Sequence, residues 1–393
     1  MASGLLRRAN PRMFSSPPGG YYKYQRAPAT LIDFGLSEAE EAEARSIHND
    51  LTVFDTLAEV SLYDGFLGNM RSPTGVAAAG SLSIGNRGLH CNTGSRSPGE
   101  AKSDWWSMKT LLTDIAYVKR WIRRNEGEAS LCLDARDVRR ARAENKVGIM
   151  LDVQNAEFIH KDLSLLDTFY ELGLRRVQLT YNFTNLVGTG CMEKEGSCLT
   201  RLGANVIRRM NDLKMIVDTG HCSSRTVLDA VDASAAPIVC SHAGMKSRCP
   251  TNPRTQTDEA ILAVASRGGV FGIVSTPGAI NGKDRITARD YVDTIDAAVE
   301  LCGIDHVGFG SDFCLAMSVE EIFTAPEWGP EAAVSVGVNA DAVWPWSDGH
   351  KGFENNTGYI NLTRGLYKKG YSKDDIAKVM GGNYLRVLDE VME

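Results

Sequence analysis

The chain has 393 residues, a formal net charge of -6 and 43% hydrophobic residues. These totals describe a globular protein with ample core material. They give no basis for binding nucleic acid or an anionic membrane, and no run approaches the roughly 20 apolar residues that span a bilayer. The nine cysteines lack CxxC spacing, and no apolar stretch follows the early Arg7-Arg8 pair, so reduced thiols in a cytoplasmic chain without a secretory signal are expected.

Residues 1–35 are basic, then rich in Pro, Gly and Tyr, and read as an irregular N-terminal arm that either wraps the body or remains a tail. Residues 36–393 read as one domain. Ser37 and Glu40 form a capping box that opens a helix to about His48. Leu51–Leu57 is the first predicted strand and Gly75–Gly80 a less marked second. Residues 84–101 are Gly, Ser and Asn rich and read as a long loop. Helices follow over about 105–125 and from Asp134.

Regular alternation then sets in. Short apolar runs predict strands at Val147–Val153, Arg176–Tyr181, Met215–Asp218, Pro237–Ser241, Gly269–Ser275 and His306–Ser311. Helical patterns lie between them, near 164–172, 202–213, 224–232, 257–267 and 287–302. Eight strands with intervening helices predict an α/β fold, a (β/α)8 TIM-like barrel, with the N-terminal arm and a C-terminal helical extension. The segment after Asp312 is irregular to about residue 358; with Trp344, Trp346 and His350 it is a candidate lid or substrate wall. Helices near 360–368 and 372–390 close the chain.

Two histidines stand at the ends of consecutive predicted strands. His221 follows Met215–Gly220, and His242 follows Pro237–Ser241, with a Ser-capped helix between. A strand, a helix and a strand make a right-handed crossover and a parallel pair. Both imidazoles then emerge at the C-terminal ends of adjacent strands, where barrel enzymes place their chemistry and where two neutral imidazoles can hold a divalent metal. Asp312, at the end of the last strand, adds a carboxylate that can orient or deprotonate a metal-bound water.

These stretches together, Asp218-Thr-Gly-His221, Ser241-His242 with Pro253-Arg254 and Asp258, Leu179-Thr-Tyr-Asn182, Gly310-Ser-Asp312-Phe313 and the closing Gly381-Gly-Asn-Tyr-Leu-Arg386, resemble the membrane (renal) dipeptidase family of amidohydrolase-type barrels. The resemblance implies a binuclear zinc hydrolase of dipeptides, and a homodimer. By position it implies that His221 and His242 are ligands of the second zinc, that Asp312 is the acid/base on the bridging water, and that Arg254 grips the substrate carboxylate, a task suited to a guanidinium fork. One extra residue separates His242 from Arg254.

The departures fall on the first zinc site. Where the family reads Asp-Gly-His-x-Asp, this chain reads Asp55-Thr56-Leu57-Ala58-Glu59. Leucine replaces the histidine and Glu59 the aspartate. His48-Asn49-Asp50 copies the ligand pattern but precedes the strand, so it lies at the wrong end. The bridging glutamate falls on Gln154, a neutral amide and a weak zinc ligand. Tyr181 stands where a histidine polarises the scissile carbonyl, and its hydroxyl can donate the same hydrogen bond. Asp152 and Glu59 are the carboxylates left to compensate.

Two zinc ions repel strongly without a bridging carboxylate. The expectation is therefore one zinc-like ion on His221 and His242, completed by Gln154, Glu59 or Asp312. The reaction expected is hydrolysis of a small dipeptide-like or amide substrate with a free carboxylate. The alternative is a non-hydrolytic tautomerase, lyase or decarboxylase on the same barrel.

Overall fold

Short β-branched runs alternate with capped helices, and the chain folds accordingly into parallel strands joined by helices. The computed structural model describes residues 28–58, 79–84, 106–193, 198–283, 285–312 and 350–393. The strands are β1 (Phe54–Ala58), β2 (Ala79–Ile84), β3 (Ala129–Leu131), β4 (Val147–Val153), β5 (Leu174–Gln178), β6 (Ile216–Asp218), β7 (Val239–Met245), β8 (Thr255–Gln256), β9 (Val270–Val274), β10 (Ile286–Thr287), β11 (Val307–Gly310) and β12 (His350–Lys351). Neighbours follow the order β1-β2-β4-β5-β6-β7-β9-β11, every pairing parallel. This is the curled sheet of a TIM-like barrel, as expected. β3 and β8 lie off this path, and β10 pairs with β12 separately.

Between β11 and β1 the barrel closes through individual hydrogen bonds. The Asp312 amide donates to Leu57 O at 2.8 Å, the Ser311 amide to Asp55 Oδ1 at 2.8 Å, and Thr56 Oγ1 to Phe309 O at 2.7 Å.

The helices are α1 (Glu38–Asp50), α2 (Met108–Arg124), α3 (Ala135–Ala143), α4 (Ser164–Glu171), α5 (Arg201–Asp212), α6 (Ser224–Ala233), α7 (Asp258–Ser266), α8 (Pro277–Ile280), α9 (Ala288–Cys302), α10 (Tyr359–Lys368), α11 (Lys373–Ala377) and α12 (Asn383–Met392). Side-chain oxygens cap many of them: Ser37 on α1, Thr200 on α5, Ser223 on α6, Thr257 on α7 and Thr287 on α9. Each satisfies an orphan amide, worth about 1 kcal/mol.

The closing helix, expected unbroken over 372–390, is instead split. A π-type turn at Lys378–Gly382 separates α11 from α12, with Gly381 at φ 152°.

Phe54, Ile216, Val239 and Val270 at the starts of their strands, with Met150 of β4, pack with Tyr384, Leu385 and Leu388 of α12. Phe54 stacks on Tyr384 at 4.6 Å. An apolar plug thus fills the N-terminal end of the barrel, and the polar interior lies toward the C-terminal strand ends. His306 precedes β11 at the plugged end and bonds Gly269 O at 3.0 Å. His48 lies on α1 and bonds Thr363 at 2.7 Å, away from the strand ends. Backbone at Ala29 and Ile32 bonds Thr357 and Asn361, fastening this stretch beside α10.

Candidate metal site at the barrel mouth

β6 ends in a polar residue, Asp218, and β7 carries Ser241 and His242 within its run, where its pairing with β9 shifts register. Past β6, the Asp218 carboxylate accepts the amides of Gly220 at 3.0 Å and Ser241 at 2.9 Å, tying the two strand ends together. Gly220 has no room for a side chain: a Cβ there would lie 2.7 Å from Gln178 Oε1 and 2.9 Å from His242 Nδ1. This closeness lets the next residue, His221, turn inward. The His221 and His242 rings meet at a centroid distance of 4.8 Å, with their Nε2 atoms 3.0 Å apart.

Their outer nitrogens are held as well. His221 Nδ1 lies 2.7 Å from Asn182 Oδ1, and His242 Nδ1 lies 2.8 Å from Ser241 Oγ. With Asn182 as acceptor, His221 carries its proton on Nδ1 and turns a bare Nε2 toward the mouth, the outer-shell arrangement typical of metal-bound histidine. Asn182 holds this place in a left-handed conformation, φ 56°. Both imidazoles are held far below the usual histidine range by burial and by the Arg254 guanidinium. His242 adds to this at His221, and Arg176 at His242. They are neutral nitrogen donors at physiological pH.

Of the other predicted residues, Tyr181 and Arg254 lie against this pair. Tyr181 stacks on His221 at 4.1 Å and 23°, and Trp106 packs against Tyr181 at 5.3 Å. Arg254 is 1% exposed. Its Nη1 donates to Gly220 O at 2.6 Å and its Nη2 to His242 O at 3.2 Å. The guanidinium therefore braces both histidine-bearing turns from behind. The guanidinium also meets the Cys191 thiol, leaving two of its five N–H donors beyond these contacts.

Asp312 is buried, with φ 54°. Burial pushes its carboxyl up to about 6; Arg254 pulls the other way and Asp55 adds to the rise. Gln154 is buried one residue beyond β4, and its backbone oxygen accepts Gln178 Nε2 at 2.6 Å. Glu59, Trp344 and Trp346 lie outside the described residues. Asp152 sits one layer deeper than Gln154, paired with Arg176. Leu57, in the histidine position of the resemblance, is fully buried.

Sequence reasoning singled out neither Asn182 and Ser241, which hold the histidine nitrogens, nor the Asp55–Tyr359 contact of 2.7 Å behind Asp312. Asn182 belongs to the Leu-Thr-Tyr-Asn stretch, and its capacity for positive φ was the available signal.

The two Nε2 atoms are close enough to share one ion, since each zinc–nitrogen bond is about 2.0–2.1 Å. The donors are neutral, borderline-soft imidazoles of the kind zinc and its neighbours accept. Among the described residues no third His, Cys, Asp or Glu completes a ready-made ligand cluster with them. The pair fits a divalent ion as two of its ligands.

Comparison with known proteins places the chain in a family. The sequence profile described as Membrane dipeptidase (Peptidase family M19) matches residues 89–327 and 335–393. The chain belongs to this family and is an enzyme of the peptidase and hydrolase class, for which a metal cofactor is implied. An uncharacterized protein in the pqqA 5' region of Klebsiella pneumoniae is 28% identical over 72% of this chain and 96% of its own length. Dipeptidase tcpJ of Claviceps purpurea is 25% identical over 72% of this chain, but the match spans only 60% of that longer protein.

Among solved structures, an amidohydrolase from Pseudomonas aeruginosa superposes with a TM-score of 0.73 at 24% identity, covering 88% of this chain and 98% of its own. The probable dipeptidase PvdM of the same organism gives 0.71 at 20% identity, covering 91% and 99%. These likenesses establish the shared fold. Among the described residues, no helix is long and apolar enough to cross a membrane.

Proposed function

We propose that this enzyme hydrolyses a small dipeptide-like or amide substrate bearing a free carboxylate, using one divalent ion, zinc or a close relative, held by His221 and His242. The observation that carries the reading is the pair of neutral Nε2 atoms 3.0 Å apart, each ring fixed from behind by an oxygen.

A bound ion of this kind supplies a water whose pKa is lowered to about 7. Gln154, Asp312 and Glu59 are the groups proposed to complete its shell. Asp312, with a carboxyl near 6, is matched to taking up and returning a proton at neutral pH. Tyr181, fixed against His221, donates its hydroxyl to the oxyanion that develops on the substrate carbonyl. Arg254 presents its remaining donors to the substrate carboxylate while bracing the histidine turns. Gln154, Tyr181, Arg254 and Asp312 are buried, which excludes water and strengthens each of their interactions.

The reading is tested by elemental analysis of the purified chain, together with amino-acid release from a dipeptide panel with and without chelator. One ion per chain and chelator-sensitive release are expected. Tyr181→Phe should lower kcat about 100-fold with little change in KM. Arg254→Ala should raise KM and also weaken ion binding, because the brace is lost with the fork.

A second reading has its own support. The chain keeps Gln154 in place of a carboxylate, and among the described residues no third His, Cys, Asp or Glu forms a ready-made cluster with the two histidines. A tautomerase, lyase or decarboxylase needs an electrophile and no bridging hydroxide. Metal binding with no hydrolysis of any dipeptide would select this alternative.

A further inference from the structure

Asp312, the proposed proton carrier, sits in a backbone conformation that most residues avoid. Its φ is 54°, and a left-handed turn at a residue other than glycine persists only where the surroundings enforce it. Its neighbours supply the enforcement. The Asp312 amide donates to Leu57 O at 2.8 Å, the Ser311 amide to Asp55 Oδ1 at 2.8 Å, and the Ser275 hydroxyl to Ser311 O. The turn is thus tied to β1 on one side and to the end of β9 on the other.

Asp55 is the fixed point of this arrangement, and it is fully buried. Its Oδ1 also accepts the Leu57 amide at 3.2 Å, so one oxygen serves both sides of the seam between β1 and β11. Its Oδ2 accepts the hydroxyl of Tyr359, the first residue of α10, at 2.7 Å. The Tyr359 oxygen in turn accepts Asn356 Nδ2 at 2.8 Å, which leaves the hydroxyl proton for Asp55. The Ser311 hydroxyl faces both Asp55 and Tyr359. The Tyr359 ring is enclosed, packed on Phe309 at 5.4 Å and on Phe353 at 5.8 Å.

The barrel does not need this hydroxyl to close. Thr56 Oγ1 on Phe309 O and the Asp312 amide on Leu57 O join β1 to β11 without it, and the ring contacts do not depend on it. Without the hydroxyl, a buried carboxylate oxygen loses a donor, and the carboxylate is driven to turn toward others. The Ser311 amide, one residue from the acid/base, then loses its partner. Small displacements of a catalytic group carry large rate costs.

We propose that Tyr359 is a positioning residue for Asp312: acting through Asp55, its hydroxyl fixes the turn that presents the acid/base carboxylate to the mouth. The inference rests on the hydrolase reading above, in which Asp312 moves the proton, and deepens it.

The test is Tyr359→Phe, which removes the hydroxyl and keeps the ring. With a dipeptide that the unaltered chain hydrolyses, kcat should fall at least tenfold while KM stays within twofold, because Arg254 and both histidines are untouched. Zn2+ titration calorimetry should give the same ion count as the unaltered chain. In an Asp312→Asn background, Tyr359→Phe should change the residual kcat by less than twofold, because no carboxylate is left to position; a merely structural loss would multiply with it. Exchange of the Ser311 amide, followed by NMR, reads the link without turnover. It should speed at least tenfold beyond any change in the amides of β4, which report the stability of the barrel as a whole.

If Tyr359→Phe does not fold, Asp55→Asn replaces it with the same expectations: whichever way its amide turns, either the Tyr359 or the Ser311 bond is lost. A kcat within twofold of the unaltered chain, a fall that multiplies fully with Asp312→Asn, or a Ser311 amide that exchanges no faster than those of β4 overturns the proposal and leaves the hydrolase reading intact. No release from any dipeptide by the unaltered chain removes the hydrolase reading, and the inference with it.

Discussion

A side chain one atom larger can undo this site, and Gly220 is where that sensitivity is greatest. A Cβ at this position would press on Gln178 Oε1, His242 Nδ1 and Ser241 Oγ, all within 2.9 Å. None is the far end of a loose side chain: Gln178 is tied to two backbone carbonyls, and the other two bond each other. Gly220→Ala should cost about 1–3 kcal/mol of stability, as overpacking does. It should also weaken Zn2+ binding at least tenfold, because His221 is the next residue. Urea unfolding and metal titration of the variant check the two effects separately.

His350 makes a different prediction at the same scale. Its Nδ1 lies 2.9 Å from Ser275 O, and its ring packs against Tyr291 and Phe353. Burial pushes its pKa down to about 3. The unfolded chain takes up a proton near pH 6.5 that the folded chain refuses. This contribution is therefore absent above pH 6.5, and stability falls as the pH drops from there toward 3. Between pH 6.5 and 5 the loss should be about 2 kcal/mol, and a folded His350→Gln variant should show a pH slope shallower by that amount in urea melts.

At the scale of elements, the best-read parts of the chain are those where packing asks for nothing unusual. β4 is a nearly continuous apolar run, buried on both faces as parallel strands are, and its expected bounds of Val147–Val153 are those observed. The expected second strand, Gly75–Gly80, overlaps only the start of β2 at Ala79–Ile84. A Gly and Ala run carries no side chains to mark a register, whereas Leu82 and Ile84 further on do alternate. The two histidines were legible as a pair, but His242, expected just past its strand, lies within β7 where the register shifts between Cys240 and Ala243, and His221 lies three residues past β6. The pairing of Arg176 with Asp152 and Asp218 was not legible, because those residues come from three strands and meet only once the register is set.

The closing helix was misread for a related reason. Its periodicity runs on through Gly381, but β1 approaches there: a Cβ on Gly381 would lie 2.6 Å from Thr52 O and 2.7 Å from Phe54 N. The backbone yields, at a φ that L residues avoid. Gly381→Ala should therefore destabilise the fold by about 2–4 kcal/mol through combined strain and overlap. The midpoint of urea unfolding is the measurement, with Gly370→Ala as a comparison: that glycine also has positive φ but nothing within 4 Å of its would-be Cβ, so only strain remains.

Over the whole molecule, the site and the fold share one free energy. The two histidines lie on adjacent strands, and their supports come from elsewhere in the chain: Asn182 after β5, Asp218 of β6, and Arg254 before β8. An unfolded chain cannot bring these groups together, so an ion that binds the native mouth stabilises the entire barrel by mass action. At an ion concentration 100 times Kd the gain is about 2.7 kcal/mol, and each further tenfold adds about 1.4 kcal/mol. A domain of 150–250 residues moves about 2–4 °C in Tm per kcal/mol, and a longer chain moves less. Scanning calorimetry should therefore show Tm rising by roughly 3 °C at that concentration and climbing steadily with added Zn2+. Chelator should reverse the rise, and His221→Ala should abolish it while leaving the metal-free Tm within a few degrees. A midpoint indifferent to Zn2+ would mean that the paired imidazoles grip no ion and bond only each other across their 3.0 Å gap.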